Sequence, residues 1–292
     1  MNATEERTAL AAFVATSVLA GGNAVAIRFS NRELDPFWGA FLRFALAASL
    51  LAALMAALRL TLPRGRALTG TVLYGALGFG AGFALAYYGL VRIHAGLGQT
   101  LLAVVPLATL FLAVLQRQER LRLGALLGGL IALAGIAVMS NATLDADVPI
   151  LSLAAVLGSA LCLSQAAVLV RRFPPVHPVT MNAVGMATGA VLLFGGALLA
   201  HDTLEVPRRA ETWLAIGYLV PVGSVLVFVL YLVVLRYWEA SRAAYEFVLI
   251  PLVTVALSTW LDDEPLGIAL LLGGPLVLLG VYVGALRRAP ST

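Results

Sequence analysis

The sequence predicts an all-α membrane protein: ten transmembrane helices in two inverted five-helix repeats, with the N- and C-termini cytoplasmic. Three observations carry this. The chain is overwhelmingly apolar, its apolar runs are long enough to cross a bilayer, and it matches itself at a shift of 145 residues. Of 292 residues, 61% are hydrophobic and 12% charged, against a charged share of about 25% in a soluble domain. So little charge cannot coat a soluble globule, because a folded soluble surface is solvated by charged and polar groups. A cytosolic enzyme, a disordered chain and a disulfide-stapled secreted domain are excluded. All 19 basic residues are arginine and the net charge is +4. The arginines are spread through short connections, which points to lipid headgroups and topology and away from nucleic acid. Cys162 is alone within an apolar run, so no intrachain disulfide forms.

Each span follows from an apolar run between charged or proline-rich breaks, since about 20 residues at 1.5 Å each cross a core of about 30 Å. The ten runs cover residues 9–29, 36–58, 69–91, 95–115, 122–139, 149–170, 178–200, 212–235, 242–261 and 266–286. The first is a retained helix and not a signal peptide, because Glu5 and Glu6 offset Arg7 ahead of it. It carries Asn23. The second opens at Pro36 and holds Arg43, the third holds Tyr87, and the fourth opens at Gln99 and contains Pro106. The fifth is small-residue rich, with Gly124, Gly128 and Gly135. In the second half, Gln165 lies in the sixth run, Pro178 opens the seventh, and Tyr231 lies in the eighth. The ninth holds Tyr245, Glu246 and Pro251, and the tenth holds Gly273, Gly280 and Gly284. Period-two alternation is missing from these runs, which argues against a barrel.

Orientation comes from the arginines. Thirteen fall at the two termini and in the even-numbered connections, five in the odd-numbered ones, and Arg43 lies within a span. The positive-inside rule therefore places both termini in the cytoplasm.

The shift of 145 residues aligns Pro106 with Pro251, Glu119 with Glu264, Gly128-Gly129 with Gly273-Gly274, and Gly135 with Gly280. With small changes of register Tyr87 matches Tyr231, Arg92 matches Arg236, Pro36 matches Pro178, and Asn23 matches Gln165. The halves are 1–145 and 146–292. Five helices per half is an odd number, so the second half enters the membrane from the opposite face. Two inverted packings of similar energy are what alternating access requires.

Residue by residue, each half resembles an EamA unit of the drug/metabolite transporter superfamily. The resemblance rests on Gly22-Asn23, Pro36, Leu42-Arg43-Phe44, Tyr87-Tyr88, Pro106, Glu119, Gly128 and Gly135, and in the second half on Tyr231, Pro251, Glu264, Gly273 and Gly280. Gln118 and Asp263 stand where the family often has glycine, and Gly185 stands near the position matching Arg43. The resemblance implies a ten-helix inner-membrane exporter of small metabolites, most similar to the exporters of amino acids, aromatic ones included.

Polar groups inside hydrocarbon mark the candidate substrate cavity: Asn23, Tyr87, Gln99, Gln165, Tyr231, Tyr245 and Glu246. Amides offer donors and acceptors suited to an amino acid's ammonium and carboxylate, and tyrosines offer aromatic walls. Glu246, the one acid inside a span, reads either as an amine or proton site or as an interfacial residue capping a helix start. Arg43 reads mainly as a structural charge binding backbone carbonyls or a helix end, with contact to a substrate carboxylate as the alternative. Its depth, about 13 Å from that of Glu246, argues against a direct ion pair. Pro106 and Pro251 are candidate helix pivots, and Trp38, Trp213, Trp238 and Trp260 read as interface anchors. His94, His177 and His201 form no metal-ligand pair, and with no lysine there is no phosphate-binding loop. The sequence thus points to no catalytic residue, metal or cofactor. The expected partners are a small-molecule substrate and membrane lipid, with no nucleic acid and no second chain required. A membrane enzyme on lipid-linked substrates would need an acid or histidine cluster, for which Asp262-Asp263-Glu264 is the one candidate, and a channel would need a continuous polar stripe.

Overall fold

The computed structural model describes residues 3–90, 98, 101–139, 149–261 and 268–286, and these are helical almost throughout. In chain order they are α1 (Ala3–Ser30), α2 (Pro36–Ala57), α3 (Arg66–Gly75), α4 (Phe83–Leu90), α5 (Val105–Leu115), α6 (Leu123–Met139) and α7 (Ile150–Arg172). There follow α8 (Pro178–Ala200), α9 (Ala210–Leu219), α10 (Val227–Tyr237), α11 (Ala240–Ala243), α12 (Glu246–Leu261) and α13 (Ile268–Val281). Six stretches are long and apolar enough to cross a bilayer: Thr4–Ile27, Pro36–Ala57, Arg66–Gly89, Ile150–Arg172, Pro178–Ala200 and Ala210–Tyr237. Val105–Leu115, Leu123–Val138 and Leu272–Leu286 are shorter apolar helices. Large side chains such as Leu123, Ile150, Leu199 and Leu214 stand exposed on the outer surface, as hydrocarbon as a solvent permits. The chain is a multi-pass membrane protein.

Two interruptions are π-helical. Ala76–Gly82 joins α3 to α4, and Pro221–Leu226 joins α9 to α10, their first residues 145 positions apart. A π turn shifts the hydrogen-bond ladder and leaves backbone groups to find other partners. Pro221 has a further reason to break the ladder, since it has no N–H to donate. α2 and α8 are built alike. Each begins at a proline in its first turn, Pro36 and Pro178, where the missing N–H is no loss. Each ends on a left-handed residue, Arg59 (φ 53°) and His201 (φ 60°). The following amide then reaches back, Leu60 to the Met55 carbonyl and Asp202 to the Ala197 carbonyl, both at 2.9 Å. This closure satisfies carbonyls that the helix end would otherwise leave bare.

The tightest helix pairs are α2 with α8 and α6 with α13. α6 and α13 touch through glycine. A Cβ on Gly128 would lie 2.5 Å from the backbone of Gly284, in the π-helical Tyr282–Leu286 segment that continues α13, and one on Gly280 would lie 2.6 Å from the Ala132 nitrogen. Glycine here is required by close approach. Between these pairs, α1 packs on α10 and α12, and α7 packs on α4 and α5.

The two ends of the bundle are joined differently. At the Ser30 end, Asp35 accepts hydrogen bonds from the Thr203 amide and hydroxyl, both at 2.7 Å, and Asp202 accepts from the Trp38 amide at 2.9 Å. Glu33 accepts from the Arg208 amide at 2.7 Å. The Thr212 hydroxyl beside it and the Arg208 and Arg209 amides hold its carboxyl below the ordinary range. At the Glu6 end, the short α11 is held from several sides. Glu119 accepts from the Ser241 amide and hydroxyl, Arg122 pairs with Glu239 at 2.7 Å, and Arg242 pairs with Glu6 at 2.6 Å. Arg242 also donates to the Ala285 carbonyl and lies 3.6 Å above the Trp238 ring. Trp238 is therefore no interface anchor. It is 1% exposed, between Arg242 and Phe13, because the chain folds its linker back into the bundle. Trp213, half exposed with its indole N–H on the Pro207 carbonyl, does sit at a helix end.

Candidate functional site

The interior holds a cavity of about 360 Å³, near the lower end of the ~300–1,000 Å³ typical of small-molecule sites. It is lined from both halves of the chain: by α1, α2, the α3–α4 rod and Leu102, and by α7, α10 and α12. On α1 the lining runs from Thr16 to Ile27, so the cavity occupies the half of the bundle nearer Ser30. Its walls are aromatic, with Phe79, Phe83, Phe228 and Phe247 beside Tyr74, Tyr87 and Tyr231. Phe79 meets Phe228 edge-on with centroids 4.7 Å apart, a favoured aromatic geometry.

Against this wall stand two ionisable side chains, Arg43 and Glu246, each 2% exposed. Arg43 reaches from α2 to the Pro221–Leu226 π turn, where its Nε donates to Ser224 Oγ at 2.7 Å and its Nη2 donates to the Gly223 carbonyl at 2.8 Å. Its Nη1 is buried with no hydrogen-bond partner. The Tyr87 hydroxyl lies beside the guanidinium, and the Phe44 and Phe83 rings face it at 5.0 and 5.8 Å. Asn23 donates to the same Gly223 carbonyl at 3.1 Å, and its Oδ1 is buried without a partner. Glu246 is the first residue of α12, which restarts after a turn at Ala244-Tyr245. Its Oε1 is buried and unpartnered, and Tyr231 lies close enough to interact with it electrostatically. Buried polar atoms nearly always find partners, so several unmatched ones on a single cavity mark a place built to receive something. Ser159 Oγ, on α7, is another.

Of the residues singled out from sequence, Asn23, Arg43, Tyr87, Tyr231 and Glu246 meet at this cavity. Glu246 does not snorkel to an interface, because the break before α12 turns it inward. Arg43 and Glu246 line one cavity despite their different depths, although the guanidinium's hydrogen bonds go to Ser224 and Gly223. Gln165 does not line the cavity: its side-chain carbonyl accepts from Gln116 at 2.8 Å, since its helix turns that face toward the end of α5. Tyr245 is also elsewhere. Its hydroxyl donates to the Ala125 carbonyl at 2.6 Å and packs against Gly284, filling the space that glycine leaves. Gln99 lies outside the described residues, as do Asp262-Asp263-Glu264. The prolines are not matched in placement. Pro106 stands in the first turn of α5 after a turn at Ala103-Val104, whereas Pro251 lies inside α12. Sequence reasoning missed Ser159, Ser224 and the phenylalanine wall, which lie on apolar faces indistinguishable locally from lipid-facing ones. Among the described residues no group of histidine, cysteine or acid side chains could hold a metal ion.

The sequence profile of the EamA-like transporter family matches this chain twice, over residues 7–141 and 150–285. The chain belongs to the EamA-like transporter family. An "uncharacterized transporter" of Archaeoglobus fulgidus is similar to this EamA-like protein, 26% identical over 267 residues, covering 90% of this chain and 93% of that one. A crystal structure superposes with a TM-score of 0.81 at 19% identity, over 96% of this chain and 97% of that chain, a likeness of fold. The EamA-like protein is a membrane transporter, which points to a small-molecule substrate and a lipid environment.

Proposed function

We propose that the chain is a secondary transporter that exports amino acids or related amphipathic metabolites across a bacterial inner membrane, by alternating access of two inverted five-helix halves. The observation that carries this is the cavity itself: a space of about 360 Å³ lined from both halves, with a buried arginine and a buried glutamate, each keeping an unpartnered polar atom. A zwitterion satisfies both, its carboxylate on Arg43 and its ammonium on Glu246. The aromatic wall accommodates its side chain.

Inverted repeats are supported by the double family match, by the matching devices of α2 and α8, and by the two π turns 145 residues apart. Alternating access is supported by the asymmetry along the bundle axis: the cavity fills the Ser30 half, and the Glu6 half is packed and cross-linked by Arg242, Glu119 and Arg122. Ten spans are supported by the ten apolar runs, and cytoplasmic termini by the arginine distribution. The deciding experiment is flux in proteoliposomes with a panel of labelled amino acids. Saturable, Glu246-dependent flux is expected for at least one, and none for any amino acid or small amine overturns the reading. A cysteine in place of Arg288 should resist external impermeant reagents in intact cells, and labelling there would reverse the orientation.

A further inference from the structure

Arg43 does not stand free in the cavity. Two of its nitrogens are taken by the Pro221–Leu226 π turn, the Nε by Ser224 Oγ and the Nη2 by the Gly223 carbonyl. The carbonyl also receives Asn23 at 3.1 Å, so α1, α2 and the second half of the chain meet on it. A side chain on Gly223 would displace the Asn23 amide, since a Cβ would lie 2.0 Å from Asn23 Oδ1. The outcome is a guanidinium with both nitrogens on one edge clamped and Nη1 left over.

The corresponding place in the other half is filled differently. There Phe79, in the Ala76–Gly82 π turn, stands where Ser224 stands, 145 residues earlier. Gly185 stands where Arg43 does, at the 142-residue offset that relates Pro36 to Pro178. Phe79 and Gly185 are neighbours, a Cβ on Gly185 lying 3.4 Å from the Phe79 ring. One half thus pairs arginine with serine, and the other pairs glycine with phenylalanine. The cavity is given a polar clamp on one side only.

We infer that Ser224, with the Gly223 carbonyl, is a positioning residue that fixes the Arg43 guanidinium so that its remaining donor reads an anionic group of the substrate, a carboxylate on the transport reading above. The inference rests on that reading and adds to it the group that makes the carboxylate end selective. An unclamped arginine has many rotamers, and holding it in one before the ligand arrives removes that ordering cost from binding. Ser224 touches no substrate in this scheme. Its effect passes through Arg43.

The test uses the full chain in proteoliposomes. The labelled L-amino acid with the highest wild-type flux is competed by its own unlabelled form and by the primary amine that lacks the carboxylate. Wild type should prefer the amino acid at least tenfold. Ser224→Ala should raise the half-saturating concentration about tenfold, with maximal rate within twofold and inhibition by the amine unchanged. Arg43→Lys should abolish the preference, because an ammonium offers no planar edge for the clamp. A merely structural serine would weaken amino acid and amine together, so equal loss for both in Ser224→Ala overturns the assignment, as does no change for either. Melting temperatures of the variants separate misfolding from lost recognition: a fall in flux matched by an equal fall for the amine and a lowered melting point counts against it. If wild type shows no saturable flux for any amino acid, the transport reading falls and takes this assignment with it. If flux is present and the ratio does not move, this assignment alone falls.

Discussion

Replacing Gly128 by alanine and comparing it with Gly124→Ala isolates the glycine contact between α6 and α13. Both positions are in α6, one turn apart, and both substitutions add one methyl. Both gain helix propensity, about 1 kcal/mol. They differ in what the methyl meets. At Gly128 a Cβ would lie 2.5 Å from the Cα and nitrogen of Gly284 and 2.6 Å from the Gly280 carbonyl oxygen, all backbone. At Gly124 the nearest atom is the Val283 oxygen at 3.5 Å, an ordinary contact. Carbon contacts relax at about 3.5–4.0 Å, so Gly128→Ala must push two helices apart by about 1 Å. Overpacking of this kind costs about 1–3 kcal/mol. The propensity gain cancels between the two variants, so they should be separated by that cost. At about 2–4 °C per kcal/mol for a chain above 150 residues, the separation is of order 5 °C. Thermal melting of the purified protein in detergent measures it, with Gly124→Ala at or above wild type and Gly128→Ala below. Equal melting, or Gly128→Ala the more stable, would refute the close backbone contact.

Three further outcomes follow from the joined ends. Arg242→Ala removes a stack on Trp238, a partner of Glu6 and a donor to Ala285, and should lower the melting temperature more than Arg122→Ala, whose ion pair with Glu239 is a third exposed or more on both sides and is worth at most ~1 kcal/mol. Equal shifts would show that burial around Arg242 contributes nothing. Glu119→Ala leaves the buried Ser241 amide and hydroxyl without their acceptor, a loss of about 1–3 kcal/mol, and should raise hydrogen exchange in α11 while leaving α8 unaffected. Glu33, with its folded pKa lowered, contributes stability that is present above the ordinary carboxylate pKa and is lost as pH falls through the folded value. Protection of the Arg208 and Arg209 amides, taken relative to their intrinsic exchange rates, should accordingly fall in acid, and in Glu33→Gln that pH-dependent loss of protection should disappear. Unaltered profiles in the two proteins would exclude the clasp.

How much of this was legible beforehand depended on whether a property was local. Apolar run length is local, so Pro36–Ala57 and Pro178–Ala200 agree with their runs to within a residue. Proline in a first turn is local as well. The polar residues Asn23, Tyr87, Tyr231 and Glu246 were recognisable because a polar group in hydrocarbon needs a reason wherever it lies. What they touch was not. Gln165 carries the same signal as Asn23, yet it is spent on Gln116, a residue 49 positions away. Tyr245 carries the same signal as Tyr231 and is spent on Ala125. Trp238 has the composition of an interface residue, and only the folding of α11 back under the bundle buries it. The π turns left no trace in composition either, since their glycines and Pro221 look like those of any membrane helix. The Arg43–Ser224 pair spans 181 positions and two halves of the chain, so nothing near either residue announces it.

The glycine seam between α6 and α13 has a mechanical consequence. Side chains are soft: they change rotamer, and an interface made of them can slide by degrees. Where backbone meets backbone at van der Waals distance there is no rotamer to give, so the restoring force is steep in every direction but along the seam. α6 and α13 behave as one stiff beam. Neither helix lines the cavity, so under the proposed alternating access whatever rocks would be geared against that beam by the helices that do line it. Substitutions on the beam will then report on survival of the fold, and substitutions on α1, α10 and α12 on turnover.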